Sequence, residues 1–279
     1  MRAVLRGAPL PAHWSRYIAD AVFRRPALRE LVFRYADWRD ARQPRQADLA
    51  ALPLPPARLR FRVHGDLDAL SFLETGRQCG RDIRDALAGI GRDLSSCDQV
   101  LDFGCGCGRT LLWLRDTARS TRVYGTDIDA DAIAWCQRRI GFANFVVNNA
   151  SPPLVFPDES FDLVYVISVF THLDEQHQFE WLNELRRVTR RGGNVLVTVR
   201  GSFQQARMST QELGELRKAG FLFTLMPNKA MQGIFPEWYQ TATHTREYIQ
   251  SEFTRYFNVL DYVPNGLDHS QDLVILQRP

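Results

Sequence analysis

At 279 residues, with 45% hydrophobic and 24% charged residues, the chain has material for one large α/β domain or two small ones, and a disordered or fibrous protein is excluded. The net charge of +3 rests on 33 arginines and only two lysines, Lys218 and Lys229, scattered along the chain rather than gathered in one block, which argues against a nucleic-acid partner. Five cysteines without a repeated paired spacing predict reduced thiols and no metal site; no apolar run approaches the ~18 to 20 residues of a membrane span, so the expectation is a cytoplasmic protein without one.

Residues 1–65 read as a separate helical and extended segment. Trp14, Tyr17, Ile18, Ala21 and Val22 recur at helical spacing, a second helix fits Leu28 to Trp38, and Pro44, Pro53, Pro55 and Pro56 enforce an extended connection. An arginine-flanked helix of this kind can lie on a membrane surface or a partner, but packing on the main domain is the favoured reading. From residue 66 the pattern becomes regular: a helix or two over Leu67 to Gly91, a buried strand Val100 to Phe103, a helix Thr110 to Ala118, and a strand Arg122 to Thr126. A helix Ala130 to Ile140 with Asp129 as its N-cap follows, then strands Phe145 to Asn148 and Phe161 to Ser168. A long helix Asp174 to Arg190, stopped by Gly192 and Gly193, leads to a fifth strand, Asn194 to Arg200. Residues 201–252 break this rhythm as an insertion: Ser209 and Glu212 form a capping box, Gly220 ends that helix, and a long aromatic and polar stretch runs to Phe253. "FNVLDYV" and "DLVILQ" then read as two strands pairing antiparallel at a sheet edge. Alternating strands and helices predict a doubly wound, mostly parallel α/β sheet.

Gly104, Gly106 and Gly108 follow a buried strand, where bare backbone turns sharply and approaches a ligand; a Cβ there is expected to stand where the ligand must lie. Asp127, 23 residues after Gly104 at the end of the second strand, is placed to accept both hydroxyl hydrogens of a ribose. Two nucleotide readings compete. A dinucleotide site wants G-x-G-x-x-G, but the third glycine comes one position early.

The pattern Asp102-x-Gly104-x-Gly106-x-Gly108 resembles instead the D/E-x-G-x-G-x-G signature of class I S-adenosylmethionine-dependent methyltransferases. "VLDFGCGCGR", "YGTDIDADAI", "PLVFPDESFDLV" and "LRRVTRRGGNVLVTV" resemble successive motifs of that superfamily, from about Phe72 onward. The resemblance implies a seven-stranded sheet in the order 3-2-1-4-5-7-6, S-adenosylmethionine as cofactor, and methyl transfer to an oxygen or nitrogen of a small molecule, a sugar or natural-product intermediate being favoured. It assigns Gly104, Cys105, Gly106 and Asp102 to the cofactor loop, Asp127 to the ribose and Ile128 to the adenine. Asn149 stands where the family often has an aspartate reading the adenine amino group, Ser168 ends the fourth strand beside the cofactor, and Arg77 beside Gly76 is placed for the cofactor's carboxylate.

His172, past the end of the fourth strand, and His244, in the insertion, are the candidates for a general base, with Trp238, Tyr239 and Arg246 as candidate substrate contacts. Cys105 and Cys107 read as small side chains of a tight loop. The oligomeric state is left open. Two other functions compete: a methyltransferase-fold docking protein without catalysis, and a nicotinamide-dependent oxidoreductase.

Overall fold

The computed structural model describes residues 25–224 and 240–279. Three helices open it: α1 (Pro26–Asp40), the single turn α2 (Ala47–Ala50) and α3 (Ala57–His64). Then α4 (Ala69–Gly89) crosses one face of the sheet, its N-terminus capped by the Asp68 carboxylate, which accepts from the Ser71 N–H. Alternation follows through β1 (Gln99–Phe103), β2 (Arg122–Asp127), α5 (Ala130–Arg139), β3 (Ala143–Val147), β4 (Phe161–Val166), α6 (Glu175–Val188) and β5 (Thr189–Val199). After β5 come α7 (Ser202–Gln205), α8 (Thr210–Ala219), β6 (Phe221–Thr224), β7 (Thr241–His244), α9 (Arg246–Glu252), β8 (Asn258–Leu267) and β9 (Gln271–Gln277).

The central sheet has seven strands in the order β3-β2-β1-β4-β5-β9-β8, the expected 3-2-1-4-5-7-6 once β6 and β7, which pair only with each other, are set aside. β1 lies between β2 and β4, all parallel, and β9 runs antiparallel to both β5 and β8. Period-two alternation divides the core: Val164 and Val166 of β4 face Trp181, Leu182 and Leu185 of α6, while Leu163 and Tyr165 face Ile83 and Leu87 of α4. Burying each such large apolar side chain contributes about 1.5 to 3 kcal/mol.

Several boundaries differ from the sequence reading. Thr110 to Ala118 is not an α-helix but two short 3₁₀ turns, Leu111–Leu114 and Thr117–Arg119. Leu111 and Leu112 enter one core cluster and Leu114 another, so the run is buried on more than one side and presents no single helical stripe. Gly192 and Gly193 belong to β5, not to a helix end; α6 stops where Thr189 turns extended and pairs with Phe161. The helix expected over Trp14 to Val22 lies outside the described residues; in residues 25–65, Leu49 and Leu59 share a core cluster with Cys105, Cys107 and Phe145. Within that segment, the fully buried Arg60 pairs with Asp40 and donates from Nη1 to the Pro55 carbonyl at 3.0 Å. No described helix is long and apolar enough to cross a membrane.

Candidate functional site

A cavity of about 380 Å³ opens above the C-terminal ends of β1, β2 and β4, where the strand order reverses direction. Open α/β sheets bind ligands at this switch point. Gly104, Gly106 and Gly108 all adopt left-handed backbone, with φ of +80°, +52° and +77°. The turn is held from below by the Thr126 carbonyl, which accepts from the N–H groups of Gly104 at 2.8 Å and Cys105 at 3.0 Å. The expected reason for the glycines needs correcting: a Cβ on Gly104 would overlap Val169, and one on Gly106 would overlap Val63 of α3. Protein side chains, rather than the ligand, occupy that space.

Asp127 closes the loop. Its Oδ2 accepts from the Gly106 N–H at 2.7 Å and its Oδ1 from the Asp129 N–H at 2.8 Å. Burial lifts its carboxyl above the ordinary value, and these backbone donors oppose that shift. A carboxylate has about four acceptor positions, so with the Ile128 N–H also drawing on Asp127, acceptor capacity still remains for a ligand. Asp129 caps α5 as expected, accepting from Asp131 N–H at 3.1 Å and Ala132 N–H at 3.3 Å, and so leaves Asp127 to the cavity. Asp102, at the end of β1, is 2% exposed, and its Oδ2 makes no hydrogen bond among the described residues. Burial pushes its carboxyl up to about 8; the Tyr165 hydroxyl beside it pulls the other way, and Asp127 adds to the rise.

The structure brings Asp102, Gly104, Cys105, Gly106, Asp127, Ile128, Ser168 and His172 to this one cavity. Ser168, at φ +59°, donates its N–H to Thr198 Oγ1 at 2.8 Å, and Gln271 Nε2 donates to its hydroxyl at 2.7 Å. His172 Nδ1 lies 2.6 Å from the Gln240 carbonyl and must donate to it, which makes Nε2 the unprotonated nitrogen of the neutral ring. Burial pushes His172 down to about 4, so the ring is neutral at pH 7.

Other candidates lie elsewhere. Asn149 is exposed and outside the cavity wall; Asn148 faces in, its Oδ1 2.8 Å from the Thr126 hydroxyl. Gly76 does not reach the cavity, because it packs α4 directly on the Arg109 carbonyl. Arg77 is tied up on α4's outer side, donating to Asp48 at 2.5 Å and lying 4.6 Å over the Trp113 ring. His244 is fully buried behind the wall, its Nε2 2.9 Å from Gln178 Oε1, and burial pushes it down to about 3. Gln178 Nε2 in turn lies 3.0 Å from the carbonyls of Phe170 and Leu173, so this pair braces the loop that carries His172 rather than meeting a substrate. Arg246 lies over the Tyr262 ring at 5.3 Å, outside the cavity wall, while Trp238 and Tyr239 fall outside the described residues.

Sequence reasoning missed Arg62, Val63, Arg109 and Asn148 on the cavity wall. Arg109 follows the glycine loop; its Nη1 donates to His64 Nδ1 at 3.3 Å, and its buried Nε makes no hydrogen bond among the described residues. Adjacency to that loop was the available signal. For Arg62 and Val63 there was none, since they arrive from a helix some forty residues away in sequence.

Residues 101–197, which span β1 to β5 and this loop, match the methyltransferase domain family. The match is to a methyltransferase domain and covers about a third of the chain. The chain is 36% identical over 101 residues to a fatty-acid O-methyltransferase of Mycolicibacterium smegmatis, covering 36% of each chain. It is 27% identical over 128 residues to the methyltransferase GfsG of Streptomyces halstedii, covering 43% of this chain and 45% of that one. The match thus spans less than half the length of these curated relatives. Among solved structures, an S-adenosylmethionine-dependent methyltransferase of Clostridium acetobutylicum superposes with a TM-score of 0.52 at 11% identity, covering 77% of this chain and 94% of its own. The magnesium protoporphyrin IX methyltransferase of Synechocystis gives 0.51 at 17% identity, covering 79% and 93%. Both likenesses concern the fold alone.

Proposed function

We propose that the protein transfers a methyl group from S-adenosylmethionine to an oxygen or nitrogen of a small molecule. The observation that carries this reading is Asp127: its carboxylate is fixed by the Gly106 and Asp129 N–H groups at the cavity floor and keeps acceptor positions for a ribose. Asp102 fits the same cofactor, because a buried carboxylate oxygen without a partner suits a cationic donor such as an ammonium group. Ile128, 39% exposed on the cavity wall, offers an apolar surface to an adenine. Arg109 replaces Arg77 as the residue for the cofactor's carboxylate, since Arg77 is engaged elsewhere and Arg109 faces the cavity. When bound, the cofactor supplies a methyl group already activated on a sulfonium.

The chain's own task is then to align the acceptor and exclude water. Val169, Leu173 and Trp181 give the cavity an apolar wall, which suits an acceptor with apolar body. His172 lines the cavity, yet a ring held neutral down to about pH 4 is a weak base. This favours an acceptor that is already a nucleophile at neutral pH, such as a carboxylate, and the fatty-acid O-methyltransferase among the relatives supports that choice over a sugar hydroxyl. The test is calorimetric titration with S-adenosylmethionine and S-adenosylhomocysteine, with reduced nicotinamide dinucleotide as control, followed by methyl transfer to a panel of fatty acids, amines and glycosides. Micromolar binding of the first two and ester formation are expected. Silence from both, with the protein folded, defeats the reading and leaves a docking protein on a methyltransferase scaffold; binding of the nicotinamide alone restores an oxidoreductase.

A further inference from the structure

Among the described residues, α1 is fastened to the body on one side only. Phe33, Ala36 and Asp40 are buried, Asp40 in contact with Arg60, while Leu28, Leu31, Tyr35 and Trp38 recur at intervals of three and four along the opposite side and stay exposed, Leu31 by 58% and Trp38 by 52%. Tyr35 and Trp38 stack at 5.8 Å, and the Arg42 guanidinium lies 4.2 Å over the Trp38 ring. Arg25, Arg34 and Arg42, all exposed, frame this stripe. Leucines beside a tyrosine and a tryptophan, bordered by arginines, form the composition of a helix that lies in a bilayer interface with its cations at the headgroups.

Charge selects the occupant. Residues 1–42 carry nine arginines against four acids, a net +5 that leaves the rest of the chain at −2. A two-fold dimer through this stripe would set the arginine frame of one copy against that of the other. Residues 1–24 are no better as a cover, since their four arginines against Asp20 repeat the same sign. A nucleic acid would satisfy the arginines but not the leucines. We infer that α1 docks the protein on an anionic lipid surface through Leu28, Leu31, Tyr35 and Trp38, with Arg25, Arg34 and Arg42 at the phosphate level. The location matters for the site: α1 packs on α3 through the Phe33–Phe61 contact, and α3 places Arg62 and Val63 on the cavity wall, so the docked face is one helix from the cavity.

The test is sedimentation of the full chain with vesicles of phosphatidylglycerol and phosphatidylcholine against vesicles of phosphatidylcholine alone. At least tenfold stronger partition onto the anionic vesicles is expected, weakened by salt. The Leu31→Glu/Tyr35→Glu variant changes exposed side chains, so an unaltered urea transition is expected to accompany loss of partition. Arg34→Gln/Arg42→Gln should keep the apolar stripe and lose most of the preference for anionic lipid. Absence of partition, or equal partition by the glutamate variant, overturns the inference. So does a concentration-dependent dimer that this variant abolishes, which would assign the face to a second copy, or tighter binding of duplex DNA or RNA than of vesicles.

Discussion

The contact between Gly106 and Val63 is open to a quantitative test. Alanine at Gly106 must hold φ near +52°, which costs an L-residue about 1 to 2 kcal/mol, and its Cβ must share space with Val63 Cγ2, an overpacking cost of about 1 to 3 kcal/mol. Gly106→Ala should therefore lower the unfolding free energy by roughly 2 to 5 kcal/mol. Val63→Ala alone removes methyl groups from a half-buried side chain, worth about 1 kcal/mol. Together, the two should cost about 1 to 3 kcal/mol less than their sum, because the shortened side chain clears the overlap and leaves only the backbone term. Urea denaturation of the four proteins, with the slopes compared, measures the cycle. Costs that add to within about 0.5 kcal/mol would falsify the assignment of that space to Val63. Calorimetric titration of the double variant with S-adenosylmethionine then separates packing from binding: recovered stability with recovered affinity means that the loop needed room only for Val63.

Other outcomes follow from the same cavity. Asp127→Asn should weaken S-adenosylmethionine binding by about 10- to 150-fold, the equivalent of one charge-assisted hydrogen bond of roughly 1.5 to 3 kcal/mol; unchanged affinity by calorimetry ends its ribose role. Asp102, lifted to about 8 in the free protein, is protonated at pH 7, and a cationic ligand favours its ionised form. Affinity should therefore rise with pH toward about 8, and binding at pH 7 should release a proton, detected as a dependence of the heat on buffer ionisation enthalpy that Asp102→Asn abolishes. Because the folded pKa of Asp102 is raised, its contribution to stability is present below about pH 4 and is lost as pH rises through 8; Asp102→Asn should gain stability over that window, and a variant that gains none contradicts the burial argument. His172→Ala at saturating cofactor should slow transfer to a carboxylate less than tenfold and to an alcohol by more, compared by single-turnover rates. His244→Leu leaves Gln178 Oε1 without its donor and should cost about 1 to 3 kcal/mol in denaturation, and equal stability would show that the pair braces nothing.

What was legible in the sequence was local and periodic. Val100 to Phe103, the strand carrying Leu163 to Val166, Asp129 as a cap and the Ser209 and Glu212 capping box each declare themselves within a few residues, and the structure places them as expected. Asp127 was legible because strand, turn and helix fix its spacing from the glycines. The failures share another cause: they depend on contacts between distant segments. Val63 reaches Gly106 through helix packing that no window contains, Arg77 is diverted by Asp48 and Trp113, and His244 reads as a polar residue among aromatics yet is fully buried with Gln178. The 3₁₀ turns after the glycine loop were hidden because an apolar run buried on several sides has no period to read.

The direction of β9 has a consequence for how such a protein can change. The parallel strands β1, β2 and β4 reach the cavity with their C-terminal ends, and altering those disturbs its floor. β9 runs the other way, so its first residues arrive there: Gln271 holds Ser168, and Asp272 gathers the Ser202 and Asn265 N–H groups and the Tyr262 hydroxyl. The short link between β8 and β9 therefore borders the rim without belonging to the glycine loop or to any crossover helix. Variation in that link can reshape this part of the rim while the glycine loop stays fixed, which gives the two parts of the rim separate freedom to diverge.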